Sequence, residues 1–358
     1  MDLRRFGEAV ARQAVGHRVA AGLTLGAVGL VAVVAAVATA GGPEFLLPRV
    51  FAKPLSAVPA QLMVDPPGDR SVESYTGLGA WVDSFDADPS YSRRVPTVKA
   101  TDVVEMASYG VDTLFLQAAR TDDRSGLATS DPWVLADFLL HGHRNGLDVV
   151  AWYLPMWAPD GQDLDRLLAL HRFEVLGHRF DGLAVDIEWN SGGLQPSERT
   201  ARLVDLTVGL REATAGDPLG AIVMPPLLTD EINPDFWPGF PWSALVDHFD
   251  VWLPMSYWSF RTEEHSDPRY YSAESIRMLR DNLGDSQALV HGIGGIGVAD
   301  GTALPDSGEP MATIGDLEGF VASLADTGSI GGSIYDWATT GLEGRRRLAE
   351  LFVARAID

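Results

Sequence analysis

Cysteine is absent from this chain of 358 residues. Its absence excludes a disulfide scaffold, a thiolate zinc site and a cysteine nucleophile. Basic residues are also few: 27 Lys and Arg stand against 49 Asp and Glu, which gives a formal net charge of −22. Because phosphate binding needs clustered Lys and Arg, we expect no nucleic-acid partner.

The sequence predicts neither a cofactor nor a metal. Residues 291–297, HGIGGIG, contain the glycines of a dinucleotide-binding loop, but the helix and the acidic residue that such a loop needs do not follow at the right spacing. Four histidines fall between the predicted strands, where we expect solvated surface positions; they are His141, His143, His171 and His178.

The first 40 residues predict a membrane segment. Residues 1–18 carry four arginines, and residues 19–40 hold no charge. A helix of that length rises about 33 Å, which is enough to cross a bilayer. We therefore expect a single-pass protein of the cell membrane, with a basic cytoplasmic segment at 1–18, an uncleaved anchor at 19–40 and the rest of the chain outside the cytoplasm. Two alternatives remain: Ala38–Ala40 fits a signal-peptidase site, which would give a secreted protein, and the run fits a buried soluble helix.

Residues 41–72 contain six prolines and little periodicity, which predicts a semi-extended tether. A regular pattern starts after it and defines one domain over 73–358. Short apolar runs alternate with helical patterns; the runs begin near residues 78, 111, 146, 180, 219, 249, 288 and 331. Eight such units predict a (β/α)₈ TIM barrel, with an active site at the carboxyl ends of the strands.

Acids, amides and aromatic residues gather at these predicted strand ends. Aromatic rings stack on sugar faces, and carboxylates and amides bind hydroxyl groups, so the composition is typical of a carbohydrate site. The candidate substrate-binding residues are Asp83, Gln117, Arg120, Tyr153, Trp189, Trp258, Asp336 and Trp337.

The stretch at residues 180–189, FDGLAVDIEW, carries the candidate chemistry. Side chains alternate along a strand, so Ala184, Asp186 and Glu188 share the face that points into the barrel. Two like charges near each other raise the pKa of the less solvated one, and a general acid needs its proton at the working pH. Glu188 is the candidate acid and Asp186 its partner; the alternative is a pair of structural acids.

The same residues carry a resemblance to a known family. FDGLAVDIE resembles the strand-four signature D-G-x-D-x-D-x-E of family 18 glycoside hydrolases, the chitinase-like barrels, and matches it at Asp181, Gly182, Asp186 and Glu188. Residues 255–257, MSY, resemble the strand-six motif of that family, and residues 331–337, GGSIYDW, resemble its strand-eight ending.

The resemblance implies roles for three residues. Glu188 would protonate the leaving oxygen, Asp186 would orient the substrate, and Tyr257 would assist from across the site. Two positions depart from the pattern, because Ala184 replaces an inner acid and Trp258 replaces an acid after the tyrosine. The resemblance therefore does not carry over a chitin substrate or a substrate-assisted mechanism.

The leading hypothesis is a glycoside hydrolase that acts on a cell-envelope or extracellular polysaccharide. A protein nucleophile or base would need a second carboxylate, for which Asp83, Asp86 and Asp336 are the candidates. The alternative is a non-catalytic carbohydrate-binding or envelope-assembly protein on a glycosidase-like barrel. A third reading, a metal-dependent hydrolase, lacks an evident His and Asp ligand cluster at the strand ends.

Overall fold

A computed structural model describes residues 66–355, except 93–94, 123, 125, 191–192 and 303–308. The basic segment, the predicted anchor and residues 41–65 of the predicted tether lie outside the described residues. Among the residues that are described, none belongs to a helix long and apolar enough to cross a membrane. The anchor at 19–40 therefore stays a prediction.

The fold is a closed barrel of eight parallel strands, as the sequence predicts. Each strand pairs with the next in chain order, and β8 closes on β1 through the pair Gly331 and Gly77. The strands are β1 (Gly77–Val82), β2 (Thr113–Gln117), β3 (Asp148–Tyr153), β4 (Gly182–Ile187), β5 (Leu219–Val223), β6 (Val251–Ser256), β7 (Leu289–Gly295) and β8 (Gly331–Tyr335).

At least one helix follows each strand in the described chain, so apolar residues are covered on both faces of the sheet. A short helix, Ser84–Ala87, also follows β1, and a π-helix, Leu227–Ile232, also follows β5. The helices are α1 (Val103–Ser108), α2 (Pro132–Arg144), α3 (Gln162–His171), α4 (Pro196–Thr214), α5 (Trp242–Leu245), α6 (Pro268–Leu283), α7 (Asp316–Asp326) and α8 (Leu342–Arg355). Local sequence sets their ends: Asp267 caps α6 by accepting from the Tyr270 N–H at 2.8 Å, and Gly284 ends it at φ 68°.

The barrel interior is packed with side chains rather than open. Trp81 of β1 stacks on Phe115 of β2, with ring centroids 4.3 Å apart. The Trp81 indole donates to the Ser333 hydroxyl at 2.7 Å, and Ser333 also bonds His291 at 2.9 Å. Burial lowers the pKa of His291 to about 4, so this imidazole is neutral at ordinary pH.

Tyr75 closes the barrel at the amino ends of the strands, which we call the bottom. Its hydroxyl donates to the Leu183 carbonyl at 2.9 Å and accepts from the Leu183 N–H at 3.1 Å. Glycine is required around it, since a Cβ at Gly182 would lie 2.7 Å from the hydroxyl and one at Gly220 would lie 2.9 Å from the ring.

Arg70, at the end of the predicted tether, packs against the same bottom. Its guanidinium donates to the carbonyls of Phe180 and His171 at 2.7 and 2.8 Å and pairs with Asp217 at 2.7 Å. The last residues of the tether are therefore bound to the barrel.

Two of the histidines differ from their predicted surface positions. His143 of α2 bonds His178 at 2.7 Å and Asp181 at 2.8 Å, and all three side chains are buried. Asp181 also accepts from the Val149 N–H at 2.7 Å. The prediction was wrong for this pair because a short hairpin, with strands Glu174–Val175 and His178–Arg179, places His178 beside α2.

Candidate active site

The two acids of β4 lie at the carboxyl end of the barrel, which we call the mouth. Asp186 is on the strand and is 6% exposed, and Glu188 follows the strand end and is half-buried. Burial raises the pKa of Glu188 to about 7. Burial, and then the charge of Glu188, raises the pKa of Asp186 well above its usual value. The pair can therefore hold a proton at neutral pH, as a general acid must.

One oxygen of Asp186 is left without a partner. Its Oδ1 is buried and accepts no hydrogen bond from any residue that the structure describes. The layer behind Asp186 is apolar, because Ala184 lies in register between Trp152 of β3 and Gly220 of β5. The Trp152 Nε1 is likewise buried, and no described residue accepts its hydrogen.

Tyr257 follows β6 directly, and the structure brings it to the two acids. Burial raises the pKa of Tyr257, and the charges of Glu188 and Asp186 raise it further, ahead of those of Glu309 and Asp336. A phenol with a raised pKa keeps its proton, so Tyr257 is a hydrogen-bond donor in the mouth.

A second group of acids lies where β8 meets β1. Oxygens of Asp83, Asp86 and Asp336 lie within 4.8 Å of one another, and we call these three residues the acid cluster. Tyr335 donates to Asp83 at 3.4 Å, and its ring centroid is 6.3 Å from that of Tyr257. The two neighbouring tyrosines are therefore influenced by both groups of acids: Tyr257 by Glu188 and Asp186, and Tyr335 by Asp83 and Asp336.

The acid cluster is the one set of potential metal ligands that the described residues offer. Sequence reasoning expected no such grouping at the strand ends. Backbone N–H groups already occupy some of the carboxylate oxygens of the acid cluster. Asp83 accepts from the N–H groups of Phe85 and Asp86 at 2.7 and 3.0 Å, and Asp336 accepts from the Thr339 N–H at 2.8 Å. Burial, followed by the charges of Asp86 and Asp83, raises the pKa of Asp336.

Gln117 and Arg120 border the mouth at β2. The Gln117 side-chain oxygen accepts from the Ser84 N–H at 3.0 Å and from Arg120 at 3.3 Å. Arg120 pairs with Asp122 at 2.7 Å and lies 4.2 Å above the Phe85 ring. Arg120 is thus held in an ion pair within the loop that follows β2.

Three aromatic residues predicted to bind substrate contact the helices that surround the barrel. Trp258 is 1% exposed and packs on Phe320 of α7, with centroids 5.3 Å apart. The Arg345 guanidinium of α8 covers Trp337 at 3.9 Å. The Tyr153 hydroxyl donates to Asp163 of α3 at 2.5 Å. All three contact residues of the outer helices, and their part in substrate binding stays a prediction.

Trp189 is also buried, and its carbonyl accepts from the Trp157 indole at 2.6 Å. Three further aromatic residues, Trp81, Trp152 and Tyr335, lie together near the mouth. The Trp81 ring lies 5.8 Å from Trp152 and 6.0 Å from Tyr335. Strict alternation along β1, β3 and β8 was the signal for these residues, because each neighbours a residue that points outward.

No known family model matches the chain. No curated protein matches it by sequence either. Solved structures do match its fold, and chitinases are among them.

The catalytic domain of the psychrophilic chitinase B from Arthrobacter TAD20 has a TM-score of 0.52 and 10% identity, over 80% of this chain and 97% of that domain. A family 18 N-acetylglucosaminidase from Paenibacillus barengoltzii has a TM-score of 0.51 and 10% identity, over 78% and 99%. The endo-1,4-beta-mannanase from Rhizomucor miehei has a TM-score of 0.55 and 9% identity, over 79% and 95%. The chain therefore has a divergent form of the chitinase-like (β/α)₈ barrel fold.

Proposed function

We propose that this chain is a glycoside hydrolase that acts on a cell-envelope or extracellular polysaccharide. The observation that carries the proposal is the pair at the end of β4: Glu188, whose pKa burial raises to about 7, beside the more deeply buried Asp186. The family 18 N-acetylglucosaminidase from Paenibacillus barengoltzii, which shares the fold, is a glycosidase by name, and this supports the proposal.

In this mechanism Glu188 acts as general acid and gives its proton to the glycosidic oxygen as the bond from that oxygen to the anomeric carbon breaks. Where a second carboxylate is the nucleophile, it bonds to the anomeric carbon, and Glu188 then takes a proton from the water that displaces it. Where the second carboxylate is the base, it takes the proton from the water that displaces the leaving oxygen, so one water is consumed per bond on either route. Asp186 modulates the charge of Glu188, and the Tyr257 hydroxyl donates to a substrate oxygen.

A second carboxylate can serve as nucleophile or as base on the opposite side of the sugar. The acid cluster supplies the candidates, Asp83, Asp86 and Asp336. A separation of about 5–5.5 Å from the acid would give retention of configuration, and about 6.5–9.5 Å would give inversion. The stereochemistry of the product therefore tests which geometry operates.

The experiment that tests the function compares the wild type with Glu188→Gln on a panel of polysaccharides. The substitution keeps size and removes the transferable proton, so the hydrolytic rate should fall about 10²- to 10⁴-fold. Glu212→Gln, at an exposed position of α4, is the matched control and should keep the full rate. A Glu188→Gln protein with the wild-type rate would contradict the proposal.

The second candidate is a carbohydrate-binding protein without turnover, and Ala184 favours it because the acid pair lacks polar support from behind. Glycan-array binding by the wild type, with no product released from any bound glycan, would select this function.

We further propose that the chain is held in the cell membrane through residues 19–40, with the barrel outside.

A further inference from the structure

Trp157 connects the loop after β3 to the end of β4. The ladder between these two strands ends at the pair Tyr153 and Val185. Four residues further along each segment, the Trp157 indole donates to the Trp189 carbonyl at 2.6 Å. Trp189 is the residue next to Glu188. The bond therefore continues the connection between the two strands past the end of their ladder and up to the proposed acid.

The backbone of Trp157 is strained. Its φ is 61°, in the left-handed region that residues with large side chains rarely adopt. Such a conformation persists only where the surrounding structure fixes it, and conformations of this kind are concentrated at functional sites. A tryptophan at this position therefore needs several contacts to hold it.

Three contacts from different parts of the chain hold this conformation. Arg202 of α4 donates to the Trp157 carbonyl. The following N–H group, that of Ala158, donates to the buried Asp163 of α3 at 2.8 Å. The Trp157 ring packs edge-on against Trp237, with centroids 5.6 Å apart. Because the carbonyl, the next amide and the ring are each held by a separate residue, the indole N–H has a fixed direction.

Trp237 is itself held by the start of α4. The Arg199 guanidinium lies 3.9 Å from the centre of the Trp237 ring, and the Trp237 indole donates to the Thr200 hydroxyl at 3.0 Å. Helix α4 therefore supports Trp157 twice, through its carbonyl and through the ring beside it. The helix that follows the acid pair in the chain thus also holds the residue that contacts the end of β4.

The position of Glu188 is not set by strand pairing. The ladder of β4 with β5 ends at Ile187, one residue before the proposed acid. A general acid must lie within hydrogen-bond reach of the oxygen that it protonates, and a displacement of about 1 Å can lower the rate about 100-fold. The backbone next to Glu188 therefore needs a fixed point beyond the ladder.

We propose that Trp157 is a positioning residue for the proposed acid: it fixes the backbone at the end of β4 and so holds the Glu188 carboxyl group in the mouth. This inference rests on the proposed hydrolase function and adds to it a residue that touches neither the substrate nor the reacting atoms. The same bond keeps Glu188 half-buried, and burial is the cause of its raised pKa.

The first test uses Trp157→Phe, which keeps an aromatic ring and removes the N–H donor. Hydrolysis by the full-length chain in detergent is measured on size-matched oligomers of N-acetylglucosamine, glucosamine and mannose. On each oligomer that the wild type cleaves, kcat should fall about 10- to 100-fold with KM within about twofold. The alkaline limb of the pH profile should move to lower pH, since a better solvated Glu188 has a pKa nearer its ordinary value of 4.5.

The matched control is Tyr75→Phe. It also removes an aromatic donor to a carbonyl of β4, that of Leu183 at 2.9 Å, but at the bottom of the barrel. It should lower stability and keep the wild-type kcat and alkaline limb. A Trp157→Phe protein with the wild-type kcat and pH profile would overturn the inference and leave the hydrolase standing. Equal changes in the two variants would do the same, because they would reflect a general loss of stability.

Urea unfolding tests the same inference without hydrolysis. The Glu188 proton stabilises the folded state at about pH 4, and this stabilisation is lost as pH rises to about 7. The drop in urea midpoint from about pH 4 to about pH 8 should therefore be smaller in Trp157→Phe than in the wild type, and unchanged in Tyr75→Phe. An equal drop in Trp157→Phe and the wild type would overturn the inference. A wild type that cleaves no glycan would overturn the proposed function, and the urea comparison would still decide the role of Trp157.

A second variant, Arg202→Met, serves if Trp157→Phe does not fold. It removes the donor to the Trp157 carbonyl, so kcat should fall about fivefold and the alkaline limb should move in the same direction. Arg202→Lys keeps a donor and should restore part of the rate. Glu198→Gln removes the carboxylate that pairs with Arg202 at 2.5 Å and leaves the bond to Trp157, so it should behave as the wild type. An Arg202→Met protein indistinguishable from Glu198→Gln would overturn the inference.

Discussion

Trp152 of β3 and Ala184 of β4 are register partners on the inner face of the barrel. The pair places an indole and a methyl group directly behind the buried Asp186. The protonation state of Asp186 therefore depends on its neighbour Glu188 and on any ligand that enters the mouth.

The first prediction concerns the position of Ala184. Ala184→Asp should destabilise the fold by about 3–5 kcal/mol, because the new carboxylate is buried among apolar groups beside Asp186. The loss should be larger at about pH 8 than at about pH 5, since the unfolded chain ionises the added acid above about pH 4 whereas burial disfavours its ionisation in the folded state. Urea unfolding at both pH values measures it. Ala184→Ser is the size-matched control, and an Ala184→Asp protein as stable as wild type would show that the layer behind Asp186 is polar.

The second prediction is the pH dependence of hydrolysis. Because burial raises the pKa of Glu188 to about 7, the general acid is protonated below that pH and loses its proton above it. The rate should therefore fall about tenfold per pH unit on the alkaline side of about pH 7. Initial rates across the range measure it, and a rate that stays constant up to about pH 9 would exclude Glu188 as the acid.

The third prediction follows from the same group and concerns stability. The folded state holds the Glu188 proton more tightly than the unfolded state, whose pKa is near the ordinary value of 4.5. The stabilisation that comes from this tighter binding of the Glu188 proton is therefore lost as pH rises from about 4.5 to about 7. Glu188→Gln should reduce this loss, so its gain in urea midpoint over wild type should be larger at about pH 8 than at about pH 4. An equal midpoint difference at both values would contradict the raised pKa.

The fourth prediction tests Tyr257 as a donor. Tyr257→Phe removes only the hydroxyl and should lower kcat about 100-fold while the unfolding midpoint changes little. The exposed Tyr270 of α6 provides a control, and Tyr270→Phe should keep the wild-type kcat. A rate for Tyr257→Phe within about twofold of wild type would remove Tyr257 from the mechanism.

The fifth prediction separates core packing from sugar binding at Trp258. Trp258→Ala should cost about 3–5 kcal/mol of folding free energy, because the ring fills the space between Gly294 and Phe320. Trp258→Phe should restore part of the stability and leave KM unchanged. A raised KM in a stably folded Trp258→Phe protein would return Trp258 to the substrate site.

The barrel could be predicted from the sequence because each strand is a short apolar run between helical patterns. Glu188 and Asp186 could be predicted as a pair because alternation places them on one face. Tyr153 neighbours Trp152 on β3, so alternation places its side chain on the opposite face of the strand from that of Trp152. Trp258 lies beyond the end of β6, where alternation no longer applies.

The acid cluster could not be found from local pattern. Tyr335 and Asp83 are 252 positions apart and meet only because β8 closes on β1. Sequence reasoning named Asp83, Asp86 and Asp336 as separate candidates, and only closure of the barrel brings them within reach of one another.

Tyr75 and Arg70 also determine how the barrel is presented. Both fix the chain to the bottom of the barrel, so the described chain begins at the end opposite Glu188. A protein tethered in this way would turn its mouth outward from the supporting surface, toward polymer strands that approach from outside. With the other end closed by Tyr75, a polymer cannot thread through the barrel, and any ligand of the mouth must leave by the opening through which it entered.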